Sequence, residues 1–561
     1  MNDFGEVHSM LHNKPLPSSI TKNILFADGD IENRIFVVMP VDATMQEKLA
    51  IGMYADPLKP IYKTVEDEEF NRLKTHLHQS TNYNETEAEE LFNELFELAV
   101  SEKASDIHIF SYPNDPHILL RINGELERIQ LSKKFTSERL IRLSRAILGS
   151  MTGNSSSNKN SFQPALTQNA TVEEKKSVEG NRYRLRYQDA ELDGDESCIH
   201  VTMRLLDLDR DFSNGSLCDL GYEQDQQDLV YEVMMKGGGG IIVVVGATGD
   251  GKTTTAATML GKIATDHQGR KMIITVEDPV EFKIPGVHHT QVQPLGEEKA
   301  EKAWERHLSA MMRRDPDFIL QGEMRSEMTA KSAAHAALTG HTTMVTLHGN
   351  SAFDAFTRMN ELGIESSLLS SEGFVKGVIF QRLLPKICPD CSHRISAESD
   401  PSEGIRFLID HNIASRSLMN RLITSYGGFI SNIRFRNIEG CPSCRKGLVG
   451  RVAVAETLYL DSEVRKYIAE GKIDQARKQW MDQKMSSPIL DSEKSIESQY
   501  PQHCVGFSAF DHAIKKMLYG LVSPIDVEDK LGVISKSEIL SDHTFTGDEV
   551  ARMTGACERK D

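Results

Sequence analysis

Residues 246–253 read GATGDGKT and directly follow the apolar run IIVVV. A triphosphate needs converging backbone N–H groups, a cation that reaches its outer phosphates and a hydroxyl that ligates Mg²⁺, and this octapeptide has the residue types for all three. Gly246, Gly249 and Gly251 let the backbone turn its N–H groups inward, with Ala247, Thr248 and Asp250 between them. Lys252 supplies the cation and Thr253 the magnesium-binding hydroxyl, while Thr254 continues into the helix-competent stretch TTTAATML, whose dipole favours an anion at its start. A glycine-rich turn with no ligand is the bland alternative, and the strand–loop–helix context argues against it. Asp250 is the odd member, an acid inside an anion-binding loop. It is tolerable there only with its side chain turned away from the phosphates.

A phosphate loop alone hydrolyses nothing. Chemistry also needs a carboxylate on the attacking water and another at the metal shell. TVEDPVE (275–281) follows the apolar KMII, and GEMR (322–325) follows FIL. In a parallel sheet the C-terminal strand ends gather at one edge, so Glu277, Asp278 and Glu323 are expected to converge on the γ-phosphate of a nucleotide held by Lys252. In TGHTTMVTLHGN, His341 and His348 bracket a further strand-like run. They are candidates for sensing the γ-phosphate or organising the acids, against the plainer role of hydrogen-bonded core histidines. Two CxxC knuckles, Cys388/Cys391 and Cys441/Cys444, can furnish a closed tetrahedral Cys₄ zinc site, structural because no coordination position stays open. The long segment between the knuckles must loop out and return. Free thiols or redox chemistry are the alternatives for these four. Cys198, Cys218, Cys504 and Cys557 show no spacing pattern and read as ordinary thiols.

Something must position these groups, and the chain has ample material. Its 561 residues exceed what one core usually serves, and 39% apolar with 26% charged residues describes a globular protein with polar loops. The net charge of −18 opposes non-specific adhesion to nucleic acid or anionic lipid. No apolar stretch is long enough to span a bilayer, and MNDFGEVHSM has no signal-peptide character, so a cytoplasmic location is expected. Residues 1–80 read as a variable module. Residues 81–212 read as a smaller α+β domain, with an amphipathic helix over Glu85–Lys103 (Leu91, Leu95 and Leu98 on one face), a hairpin turn at Asn123-Gly124, and a polar insertion over 151–180. A linker at 213–219 leads to an α/β unit over 220–533, where IIVVV, KMIITV, FIL and TTMVTL alternate with helical lengths, the pattern of a mainly parallel sheet. It would include the zinc region 385–450, a helical part after Cys444, and a polar tail over 534–561.

The motifs together resemble the secretion ATPases of type II secretion and type IV pilus assembly, the GspE/PilB group. The resemblance runs from about Ala104 to Val527 and rests on ASDIH (104–108), RING (121–124), MRLL (203–206), GATGDGKTTT (246–255), TVEDPVE (275–281), RRDPDFILQGEMR (313–325), TGHTTMVTLHGNSA (339–352), QRLLPKICPDC (381–391) and GCPSCRKGLVGRVAVAE (440–456). It implies a RecA-like P-loop core preceded by a PAS-like α+β domain, with ATP, Mg²⁺ and Zn²⁺ bound. Glu277 would then be the water-activating base and Glu323 would assist at the metal. Arg186 and Arg204 would act as arginine fingers, against the plainer role of fold-supporting ion pairs. The resemblance further implies a homo-oligomer, expected to be hexameric, docked on an inner-membrane platform protein and so peripheral to that membrane. The tetracysteine insert and extra N-terminal module are more like assembly and export motors than retraction motors. The chain departs from the family pattern at Ala247, Asp250, Asn123, Ser326 and Gly349, none of which removes a chemical group assigned above. A nucleic-acid translocase and a non-hydrolysing regulator are the alternatives. The net charge and the lack of a basic, aromatic-laced stretch count against the first.

Overall fold

The computed structural model describes residues 87–534 apart from 133–134, 151–166, 193–194, 214, 237, 294, 296–297, 396–400 and 484–503, together with four short strands between residues 7 and 65. Most of the variable module and the polar tail beyond 534 lie outside the described residues, as does Cys557. The chain divides into two compact units, with the main changeover between Leu205 and Leu206.

In the first unit the strands Val7–His8, Leu25–Asp28, Ile35–Pro40 and Ile61–Val65 form one sheet in that order. A second, six-stranded sheet runs Glu125–Ile129, His117–Ile122, Asp106–Phe110, Asp195–Asp207, Arg182–Leu192, Asn169–Lys176. A helix over residues 87–101 buries Leu91, Phe92, Leu95 and Phe96, the stripe its 3.6-residue period dictates, while Leu98 is half-buried. Asn123 and Gly124 both take positive φ, 52° and 95°, the two-residue turn that matches strand twist. Of the polar insertion expected over about 151–180, residues 151–166 lie outside the described residues and Asn169–Lys176 form a strand. It sits at the sheet edge with Val172 buried. Its run of Glu and Lys hides the β pattern in the sequence.

The second unit is built on a seven-stranded sheet ordered His288–Gln291, Ile273–Glu277, Phe318–Glu323, Thr342–Leu347, Gly240–Val245, Val375–Ile387, Leu448–Leu458. The first six strands are parallel and the last is antiparallel. Ile241 to Val245 are all at 0% exposure and alternate between two cores. Ile241, Val243 and Val245 join Phe353, Trp480 and the C-terminal helices. Ile242 and Val244 join Met259 and Leu260 of the helix Lys252–His267. Each such side chain gains about 1.5–3 kcal/mol by leaving water, which anchors this strand firmly beneath the loop that follows it. The stretch after Cys444 is not wholly helical: LVGRVAVAETL forms the antiparallel strand before the helices Ser462–Ala469, Ile473–Met481, Ala509–Leu518 and Pro524–Leu531. Val452 to Leu458 are buried throughout, and a strand covered on both faces loses the alternation that would mark it.

The unit opens on a short helix, Leu217–Leu220, closed by Gly221 at φ 112°. A Cβ there would lie 2.4 Å from Val452 Cγ2 and 2.9 Å from the backbone N and O of Ala453. Gly221→Ala should therefore cost about 3 kcal/mol, from the left-handed backbone and the overlap together, and urea unfolding should show it as a lowered midpoint.

Candidate active site

The loop after the Gly240–Val245 strand is shaped by what its glycines avoid. A Cβ on Gly246 would lie 2.8 Å from the carbonyl oxygen of Gln381, and Gly249 and Gly251 take φ 84° and 79°. From Gly251 the chain enters the sixteen-residue helix Lys252–His267, which aims its N-terminus and partial positive charge at the loop. Gln381, 1% exposed, ties the assembly together. Its Nε2 donates to the Asp250 carbonyl, and its Oε1 accepts from Thr255 Oγ1 at 2.7 Å and from the Tyr222 hydroxyl.

The Lys252 ammonium donates to the carbonyls of Gly246 (2.9 Å) and Ala247 (3.0 Å) and lies 3.5 Å from His348 Nδ1. An ammonium only donates, so His348 accepts there and its ring proton sits on Nε2. That nitrogen is 2.8 Å from Glu323 Oε1, and Arg325 donates to the same carboxylate at 2.5 Å. Burial, with the Lys252 charge beside it, holds the His348 pKa below its ordinary value, which keeps the ring neutral at neutral pH. Burial lowers the Lys252 pKa as well, opposed by the nearby carboxylates of Glu323, Asp250 and Glu281. Lys252, His348 and Glu323 therefore form one hydrogen-bonded row across three strand ends.

Glu277, 7% exposed, ends the strand next to the one that carries Glu323. Its Oε1 lies 3.2 Å from His289 Nδ1, which is also 2.9 Å from Thr275 Oγ1. The Ile284 N–H donates to His289 Nε2 at 3.0 Å. A backbone N–H can only donate, so the ring proton is on Nδ1, facing Thr275 and Glu277. Sequence reasoning missed His289. The only signal was that HHTQ, a short polar run, pairs with the strand bearing Glu277, with Thr275 opposite His289.

The structure does not bring every candidate to this edge. Thr342 pairs with Gly240, whereas Leu347 pairs with Val245, so His341 stands at the far end of its strand from His348. There its Nδ1 is 3.1 Å from both the Ala336 carbonyl and Thr339 Oγ1. In the first unit, Arg204 Nε donates to Asp106 Oδ1 at 2.9 Å, while Arg186 is exposed.

The cysteine sulfurs of Cys388, Cys391, Cys441 and Cys444 all lie within 4.8 Å of one another. Three separations are 3.8 Å (388–441), 3.6 Å (391–444) and 3.6 Å (441–444). Four thiolates about 2.3 Å from a tetrahedral ion stand about 3.8 Å apart, so the donor set fits zinc, whereas a disulfide would need about 2.05 Å. The segment between the knuckles returns through the helices Pro401–Asp410 and Arg416–Tyr426 and the strand pair His393–Arg394 with Arg434–Phe435.

A parallel sheet with a phosphate loop on a central strand and carboxylates on the neighbouring strand ends defines a RecA-like P-loop ATPase. The chain matches the family model "Type II/IV secretion system protein" over residues 82–503 and belongs to that family. It is 32% identical over 417 residues to the putative type II secretion system protein E of Escherichia coli K12, covering 73% of this chain and 74% of the relative. It is also 32% identical over 395 residues to the type IV pilus assembly ATPase PilB of Thermus thermophilus, covering 69% of this chain but 39% of that longer protein. Among solved structures, the Yersinia pseudotuberculosis ATPase DotB shares the fold with a TM-score of 0.50 and 17% identity, over 79% of this chain and 93% of DotB. The chain is thus an ATP hydrolase.

Replacing Gln381 with Leu would leave the buried Thr255 and Tyr222 hydroxyls and the Asp250 carbonyl without their common partner. That should cost about 2 kcal/mol of stability and raise KM for ATP several-fold, measurable by thermal unfolding and steady-state kinetics.

Proposed function

We propose that the chain is the ATPase motor of a type IV pilus assembly or type II-like secretion machine, working as a homo-oligomeric ring on an inner-membrane platform protein. The single observation that carries the chemistry is the Lys252–His348–Glu323 row beside the His289-held Glu277 at adjoining strand ends. In this reading the loop residues 246–254 bind the triphosphate and Lys252 leaves its loop carbonyls for the outer phosphates. Thr253 and Glu323 are the residues to hold Mg²⁺, which when bound neutralises charge on the phosphate oxygens. Glu277 takes a proton from the attacking water as its oxygen bonds to the γ-phosphorus. The bond to the β–γ bridging oxygen breaks and ADP leaves with the electron pair. Low exposure restrains the Glu277 carboxylate, and the neutral His289 N–H fixes which way it points.

His348 links Lys252 to Glu323, so it is placed to report whether the lysine has moved to a phosphate. His341, remote in its own chain, belongs to this group only through the motif it shares. Arg186 and Arg204 keep the arginine-finger role implied by the family likeness. Exposed Arg186 is the freer of the two, since Asp106 already neutralises Arg204. We assign the N-terminal unit a PAS-like fold, the ring six subunits and the Cys₄ cluster a structural zinc. The domain division at 213–219 also belongs to this reading. Among the described residues no helix is long and apolar enough to cross a membrane.

Steady-state ATP hydrolysis resolved by assembly size tests the motor. Lys252→Ala and Glu277→Gln should each abolish turnover, the second while still binding ATP; turnover that survives Glu277→Gln would remove the carboxylate from its role. His289→Ala should lower kcat at least tenfold with KM nearly unchanged, and His289→Gln, which can both accept from Ile284 and donate to Glu277, should recover most of it. Elemental analysis should find about one zinc per chain, lost in Cys441→Ser together with thermal stability.

A further inference from the structure

We propose that Asp250 and Arg382 form a charge-compensating latch that sets how tightly the phosphate loop holds nucleotide. The Asp250 carboxylate is held by the loop's own backbone and by the neighbouring strand. Its Oδ2 accepts from the Ala247 N–H at 2.8 Å and from Arg382 Nη1 at 2.9 Å, and its Oδ1 lies 3.4 Å from the Leu383 N–H. The pair is largely covered, with side-chain exposures of 14% for Asp250 and 21% for Arg382. The Arg382 guanidinium is held on its other sides as well. Its Nη2 donates to Asn350 Oδ1 at 3.0 Å, and its Cζ lies 5.5 Å from the Phe380 ring centroid. One arginine thus joins the phosphate loop to the loop that follows His348.

An acid at this position lowers the positive potential that a triphosphate seeks, and a partly covered carboxylate is screened less than a surface one. Arg382 cancels that charge and, through its fork, fixes where the carboxylate points. The pair is therefore nearly neutral toward the nucleotide, and each half alone is not. Removing Arg382 leaves an uncompensated negative charge inside the loop and should weaken nucleotide binding about tenfold. Removing Asp250 leaves an uncompensated positive charge and should tighten binding by a similar factor, with slower release of ADP. The acid is then a device for letting product go, and the arginine is what makes the acid tolerable. Arg382 acts through Asp250 and is a positioning residue.

The test is a double-mutant cycle on the full chain, with equilibrium binding of a fluorescent ATP analogue and of ADP, at low and at high salt. The proposal expects Arg382→Ala to bind about tenfold more weakly, Asp250→Ser to bind more tightly, and the double variant to return to within threefold of the parent, with differences that shrink in salt. A double variant as weak as Arg382→Ala alone would overturn it. The arginine would then serve the nucleotide or the fold directly, and thermal unfolding of the three variants would say which. The inference rests on the loop being the nucleotide site, and Lys252→Ala separates the two failures. If that variant binds as the parent does, the site reading falls. If it does not bind while the cycle shows no compensation, only the latch falls.

Discussion

An anion-binding loop works only while its backbone N–H groups point inward, and here one buried amide side chain ties the loop to its surroundings. Gln381 lies on the strand beside the loop strand, fully enclosed, and bonds the Asp250 carbonyl, the Thr255 hydroxyl and the Tyr222 hydroxyl. These three partners belong to the loop, to the helix that follows it and to the entry segment of the unit. An unmade bond at such a depth costs about 1–3 kcal/mol, so the three segments favour one mutual arrangement. The glycines permit the loop's path, Gly249 and Gly251 by their left-handed backbone and Gly246 by its closeness to the Gln381 carbonyl. The amide then selects that path from the others a glycine-rich chain can take.

The charged groups obey the same economy of partners. Lys252, Glu323, Arg325 and Asp250 are each matched by an opposite charge or by oriented dipoles, and neutral His348 passes a hydrogen bond between the cation and the acid. Its neutrality follows from burial and from the adjacent ammonium, which both oppose a second positive charge. On the proposed reading, a nucleotide's phosphates would compete for Lys252 and so break one end of this row, with His348 carrying the loss to Glu323. The proposed site would then couple ligand binding to the orientation of a carboxylate through side chains alone.

Much of this was legible from residue order because parallel strands expose their function at their C-terminal ends. Once IIVVV, KMIITV, FIL and TTMVTL are read as neighbouring strands, the residues just past them must meet at one edge, and Glu277, Glu323 and His348 do lie there. What stayed hidden depended on register or on lateral order. His289 reaches Glu277 only because Thr275 pairs with His289, and the four-residue run HHTQ has no apolar pattern to announce a strand. The Asn169–Lys176 strand was concealed by its charges, and Leu448–Leu458 by burial on both faces. His341 and His348 look equivalent in sequence, yet a six-residue strand separates them by roughly 20 Å, so only one can serve the loop of its own chain.

Asp250 shows how far a local rule can be read and where tertiary context takes over. An acid in this loop conflicts with anion binding, and the sequence could state the condition under which it is harmless without supplying the residue that meets it. Arg382 stands on another strand, 132 positions later, and it meets the acid because the Val375–Ile387 strand lies directly beside Gly240–Val245. The same adjacency puts Gln381 under the loop. Successive residues of that one strand thus govern the loop's shape from the buried face and its charge from the other, since neighbouring side chains on a strand point to opposite faces. Loop glycines and helix dipole make a phosphate site possible, and the proposed latch places control of how strongly it holds its ligand on the strand next door.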